Sequence, residues 1–231
     1  MAGTIAKKLL SRNDIDVIAY TQSIGAIQTD KKFSAAEIHK NKNAAATRCP
    51  DLACAEKMEE AIVNARKSGD SLGGIVECIA LNMPVGVGEP LFDSLDADLA
   101  KALFGVPAVK GVEFGAGFRA AELTGSQNND AFLLKNGKVV TSTENAGGIL
   151  GGLSSGMPIM VRVAIKPTPS IAKEQKTVNL STMQNEPLSV KGRHDPCVVP
   201  KAVPAIEAVV AITLADHMIR SGFIPKVLKE H

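Results

Sequence analysis

Phe132-Leu133-Leu134-Lys135-Asn136-Gly137-Lys138-Val139-Val140 is the clearest hairpin in the chain. Asn-Gly at its centre supplies two residues that tolerate positive φ, as a tight turn between twisted antiparallel strands requires. Working outward, Val109 to Phe114 and Ile159 to Ile165 read as strands, with a glycine-rich loop ahead of the second. Gly125-Ser126-Gln127-Asn128-Asn129-Asp130 is a polar loop, and Pro84 to Pro90 is a loop by its glycine and proline content. Further upstream, Gly73 to Leu81 is a strand, and Ile15 to Ile27 is a strand with a break near Ser23.

Helical patterns alternate with these strands without a regular order. Residues 4–10 form a short helix with no capping residue ahead of it, as though its leader were cut away. Ser34, with Glu37 at the capping-box distance, opens another that runs toward Lys40. Asp51 caps a longer one, with Met58, Ile62, Val63 and Ala65 at helical spacing until Gly69 ends it. Asp93 or Ser94 opens a helix carrying Leu95, Leu99, Ala100 and Leu103. The last helix runs from about Val203 to Ser221, with Ile206, Val209, Val210, Thr213, Leu214 and Met218 toward the core. Mixed order of this kind predicts an α+β fold, read as a single domain over residues 1–231.

Composition excludes several classes. With 45% hydrophobic and 22% charged residues, 231 positions suffice for a buried core and do not read as disordered. A net charge of +2 creates no field that would gather nucleic acid or an anionic membrane, so neither is expected as a partner; a local cationic pocket stays open. Cys49, Cys54, Cys78 and Cys197 have neither disulfide-framework nor zinc spacing, which favours reduced thiols and no metal site. The first ten residues interrupt their apolar run with Lys7 and Lys8 and are no signal peptide, and no other stretch approaches a membrane span. A cytoplasmic protein is expected.

Three segments combine flexible or extended backbone with polar side chains. In Asn145-Ala146-Gly147-Gly148-Ile149-Leu150-Gly151-Gly152-Leu153-Ser154-Ser155-Gly156, the glycines permit positive φ and let backbone N–H groups approach a flat ring or an anion. The spacing is that of neither a dinucleotide fingerprint nor a P-loop, and a turn without a ligand fits as well. Lys166-Pro167-Thr168-Pro169-Ser170 offers a point charge and two hydroxyls on an extended backbone, suited to phosphate or equally to a rigid surface loop. In Lys191-Gly192-Arg193-His194-Asp195-Pro196-Cys197, Arg193 has the planar fork that grips phosphate or carboxylate. Arg193 and Asp195 also fit an ordinary surface ion pair of little energy. His39 and His217 read as solvated or helix-end residues, and His231 as uninformative.

In order and wording these segments resemble chorismate synthase. The resemblance runs through Gly69-Asp70-Ser71, Gly88-Glu89-Pro90, Phe92-Asp93-Ser94-Leu95-Asp96-Ala97 and Ala108-Val109-Lys110-Gly111-Val112-Glu113-Phe114-Gly115. It continues in Gly125-Ser126-Gln127-Asn128, the glycine-rich segment, Lys166-Pro167-Thr168 and Arg193-His194-Asp195-Pro196-Cys197, covering Ala2 to about Arg220.

The resemblance implies helices sandwiched between antiparallel sheets and a homotetramer. It implies anti-1,4-elimination of phosphate from 5-enolpyruvylshikimate 3-phosphate to give chorismate, for aromatic amino acid biosynthesis. Reduced FMN is implied as cofactor, with NADPH entering only indirectly through flavin reduction. Pro107 and Ala108 are then expected to approach FMN through backbone, and Gly151 to let it close to the glycine loop. Lys166, Pro167, Thr168, Pro169 and Ser170 are expected to contact the flavin, and Arg193 to face flavin and substrate. Asp195 is the expected proton-handling carboxylate near the flavin N5. The family's Gly-Glu-Ser-His-Gly, Arg-Pro-Gly-His and Gly-Arg-Ser-Ser-Ala-Arg motifs, normally ahead of the Ala-Gly-x-Ile-Ala-Lys-Lys helix, do not occur in these residues. The expectation is therefore a C-terminal portion of the enzyme that does not turn over substrate by itself. A non-catalytic flavin- or partner-binding module and one half of a split enzyme are the alternatives.

Overall fold

The computed structural model describes residues 1–225. In chain order the elements are α1 (Ala2–Leu10), β1 (Asp16–Ile24), β2 (Ile27–Gln28), α2 (Ala35–Asn41), α3 (Leu52–Lys67), β3 (Gly74–Leu81), α4 (Leu95–Phe104), β4 (Val109–Phe114) and α5 (Gly125–Asn128). They continue with β5 (Phe132–Lys135), β6 (Lys138–Thr141), β7 (Ile149–Leu150), β8 (Leu153–Ser154), β9 (Ile159–Ile165), β10 (Gln175–Asn179), β11 (Gln184–Leu188) and α6 (Val199–Arg220). One sheet has the strand order β2-β1-β3-β9-β4, and β5-β6, β7-β8 and β10-β11 are separate two-stranded sheets. The class is α+β.

The chain forms two compact units. Unit 1 comprises residues 1–19, 77–163 and 203 onward, and unit 2 comprises 20–76 and 164–202. Unit 1 buries Leu10, Leu95, Leu99, Leu103, Ile159, Ile206, Leu214 and Met218 completely or nearly so. Each such side chain contributes about 1.5–3 kcal/mol relative to exposure. Gly3 of α1 sits so close to α6 that a Cβ would lie 2.3 Å from that of Ala208, which explains glycine inside a helix. Beside this contact Glu207 forms an ion pair with Lys7, and its second oxygen accepts the Ala19 N–H at 2.8 Å.

Local rules account for several element ends. Ser34 and Glu37 form the expected capping box on α2, and Asp51 accepts the Cys54 N–H at the start of α3. Asn136 and Gly137 take φ of 52° and 74° between β5 and β6, with Lys135 paired to Lys138. The break in the first strand falls at Gly25, φ 56°, two residues beyond Ser23.

Several expectations need correction. Val63 is 48% exposed: helical spacing alone put it with Met58, but it falls outside the buried stripe of α3. Residues 125–128 are a helical turn instead of a loop, because Thr124 and Gln127 make a capping box. The glycine-rich loop contains β7 and β8. Helix α6 begins four residues earlier than expected, at Val199, with Pro204 inside it. It is also long and apolar enough to cross a membrane by length and composition, contrary to the expectation that no stretch is. Its apolar residues Val203, Ile206, Val210, Ala211, Leu214 and Met218 are buried in unit 1.

Candidate functional site

In unit 2, β9 ends at Ile165 and delivers Lys166 to Ser170 as an extended segment without helix or strand. The strip Ser71-Leu72-Gly73 holds this segment in place. The Ser71 hydroxyl donates to the Thr168 carbonyl at 2.7 Å. At Gly73 a Cβ would lie 2.4 Å from the Ile165 carbonyl oxygen and 3.0 Å from Pro167, so only glycine allows this approach. The same strip holds the other predicted segment. Leu72 N–H donates to the Pro196 carbonyl at 2.8 Å, and Leu72 bridges Cys197 in parallel. Two segments far apart in sequence, Lys166–Ser170 and Arg193–Cys197, are thus tied to one strip of three residues.

Their side chains differ in what they have to bond. The Thr168 hydroxyl oxygen is buried with no hydrogen-bond partner among the described residues. A buried hydroxyl in that state is costly unless something arrives to satisfy it. Lys166, Pro167, Pro169, Ser170 and Arg193 are exposed. His194 is not free: its Nε2 lies 2.9 Å from the Val190 carbonyl. Asp195 pairs with Lys201, Oδ2 to Nζ 2.7 Å, and not with Arg193. Lys201 stands on the first turn of α6, so the ion pair admitted by sequence proximity loses to one set by the helix start. Ser71 stands in one of the segments that carry the resemblance, but no bonding role follows from its type, and a lysine six residues beyond Asp195 gives no local signal.

Unit 1 contains Pro107, Ala108 and Gly151. Pro107 and Ala108 join α4 to β4, and Ala108 holds φ 71°, a left-handed conformation uncommon for a residue with a Cβ. Gly151 and Gly152 turn β7 into β8 with φ of 59° and 82°. A Cβ on Gly151 would meet nothing within 4 Å, leaving open space in front of the turn. Asp130 fixes the entry to this loop. Its carboxylate accepts the Thr143 hydroxyl and the Asn145 and Ala146 N–H groups. Burial alone would push its pKa up, but these bonds, the Thr143 hydroxyl first and then the Ala146 and Asn145 amides, hold it below the usual carboxylate value.

The remaining histidines differ in their surroundings. His39 is exposed on α2, and His231 lies outside the described residues. His217 is fully buried, not solvated, with Nε2 3.0 Å from Asp98 Oδ2 and Nδ1 without a partner among the described residues. Arg220 reaches the same Asp98 oxygen at 3.4 Å and Asp93 at 3.1 Å, so this cluster anchors the end of α6 to the first turns of α4.

A family model described as chorismate synthase matches residues 1–219. The chorismate synthase of Dehalococcoides mccartyi strain BAV1 is 54% identical over 230 residues, which is 100% of this chain and 63% of that protein. That of Methanosarcina barkeri is 54% identical over 229 residues, 99% of this chain and 62% of its own length. That of Thermococcus kodakarensis is 52% identical and is covered to 61%. A crystal structure of chorismate synthase shares the fold with a TM-score of 0.78 at 30% identity, over 95% of this chain and 61% of that one. The chain therefore spans under two-thirds of the length of the relatives it matches.

Proposed function

This chain belongs to the chorismate synthase family, and we propose that it supplies the flavin-facing and proton-handling part of an enzyme that converts 5-enolpyruvylshikimate 3-phosphate to chorismate. In that elimination the carbon–oxygen bond to phosphate breaks, a ring proton is lost and a new double bond forms, with no net redox change. Reduced FMN, when bound, supplies transient electron density as phosphate leaves. NADPH enters only as the source of flavin reduction.

One observation supports this reading above the others: a single strip, Ser71 to Gly73, organises both the Lys166 segment and the Arg193-His194-Asp195 segment, and leaves Thr168 Oγ1 buried without a partner among the described residues. The residues present fit the cofactor. Lys166 offers an ammonium with no ion pair among the described residues, and Thr168 and Ser170 offer hydroxyls, a set suited to the flavin's polar groups. Pro107, Ala108 and Gly151 offer backbone with open space at Gly151. Arg193 offers positive charge to flavin and substrate. Asp195 accepts the proton; Lys201 occupies Oδ2, and Oδ1 has no donor among the described residues. Cytoplasmic location and assembly with copies of itself belong to the same proposal. The hairpin β5–β6 supports assembly, since Phe132, Leu133, Leu134 and Val139 are all more than half exposed.

The 231 residues contain none of the family's catalytic histidine motifs, so the chain alone is expected to bind FMN without turnover. Flavin titration and a chorismate-formation assay test this together. Binding without turnover, with activity appearing on addition of the complementary family segment as a second polypeptide and lost again in Asp195→Asn, is the expected result. Failure to bind FMN removes the flavin reading. Full turnover by the chain alone removes the assignment of part of the machinery elsewhere.

A further inference from the structure

Unit 2 contains a cleft of about 220 Å³ whose walls include Arg66, Gly69, Asp70, Gly192, Arg193 and His194. A volume below the roughly 300–1,000 Å³ of a whole small-molecule site suits a head group and not a complete cofactor.

The charges in the cleft do not cancel. Asp70 has its own cation: Oδ2 lies 2.9 Å from Lys173 Nζ, while Oδ1 accepts the Ser71 N–H at 2.9 Å. Arg66 and Arg193 form no ion pair with a carboxylate among the described residues. The C-terminal carbonyls of α3, which would repel an anion, are already occupied. Asn64 O accepts from Ser68 N–H, Ala65 O from Asp70 N–H and the Ser68 hydroxyl, and Arg66 O from Gly69 N–H. His194 is held to Val190 through Nε2. What remains in the lining is Arg66 and Arg193, two cations whose planar guanidiniums match the geometry of phosphate oxygens, on a concave surface that concentrates their field.

We propose that Arg66 and Arg193 form an anion subsite that takes a phosphate monoester. Which monoester arrives rests on the function proposed above, since the flavin phosphate and the substrate phosphate share this chemistry. Arg66 is the new element: it lies in none of the segments that carry the family resemblance.

Calorimetric titration of the full chain with inorganic phosphate, and with FMN against riboflavin and shikimate 3-phosphate against shikimate, separates the sources. The expected result is at least one phosphorylated member bound about tenfold tighter than its dephosphorylated counterpart, the preference lost in Arg66→Gln and partly kept in Arg66→Lys. Arg66 is exposed, and an unchanged thermal midpoint confirms that the variants fold. Loss of the preference in the FMN pair assigns the flavin phosphate, and in the shikimate pair the substrate phosphate. If neither flavin binds while inorganic phosphate and shikimate 3-phosphate still depend on Arg66, the subsite stands and the flavin reading falls. If FMN binds and no phosphate probe responds to Arg66→Gln, the subsite is overturned while the flavin reading stands.

Discussion

The Ser71 hydroxyl donates to the Thr168 carbonyl oxygen at 2.7 Å across 97 residues of chain. Ser71 is only 9% exposed, so water does not readily replace it. Ser71→Ala is expected to destabilise the chain by about 1–3 kcal/mol, the usual cost of a buried acceptor left without its donor. A lower urea midpoint at unchanged m-value is the signature, together with weaker FMN binding. An unchanged midpoint would show that the bond does not hold the Lys166 segment.

Thr168→Val gives a test with opposite signs. Its hydroxyl oxygen is buried and unpartnered among the described residues. Removing it at nearly constant shape is expected to leave the ligand-free chain equally stable or up to about 1 kcal/mol more stable. With FMN present, the same change is expected to weaken binding about tenfold, if the hydroxyl is there to meet the cofactor. Destabilisation without ligand and unaltered affinity would make Thr168 a purely structural residue.

Asp130 predicts a pH dependence. Its folded pKa is lowered, so its contribution to stability is fully present above the unfolded carboxylate value, about 3.9, and disappears as pH falls through the lower folded value. The difference in urea midpoint between the parent chain and Asp130→Asn should therefore be constant from pH 5 to 7 and shrink below about pH 4. A difference that grows toward low pH would contradict the assignment of Thr143, Ala146 and Asn145 as its donors.

Leu134 and Val139 face each other across the β5–β6 hairpin and are 77% and 60% exposed. Isolated two-stranded hairpins are marginal, and an apolar pair on one implies a covering surface. Leu134→Ser with Val139→Thr should lower the mass measured by light scattering, with stability changing by about 0.5 kcal/mol or less. Retention of the parent's mass would remove the hairpin from the proposed assembly.

Sequence legibility followed how local each cause is. Val109–Phe114 and Ile159–Ile165 appear as expected because their hydrophobic runs end at Gly115 and Lys166. The helix starts at Ser34 and Asp51 rest on side chains within three residues of the groups they cap. Strands β10 and β11 went unnoticed because all but two of their residues, Thr177 and Asn179, are exposed, so burial imposes no alternation on them. In the site, the Lys166 and Arg193 segments were visible by their residue types. That the Ser71 strip joins them was not, since its bonds reach 97 residues in one direction and to Pro196 in the other. Asp195 was visible, but its partner Lys201 depends on where α6 begins.

Ala108 remains at φ 71°, where an L-residue is about 1–2 kcal/mol less comfortable than in the right-handed region. Glycine would sit there without steric objection, yet it would bring a wider repertoire of backbone states. The alanine therefore acts as a stiffener: the peptide plane before Val109 has fewer orientations to surrender. Under the flavin reading proposed above, a flat ring settling against that plane would meet a wall whose disorder has already been removed by the fold.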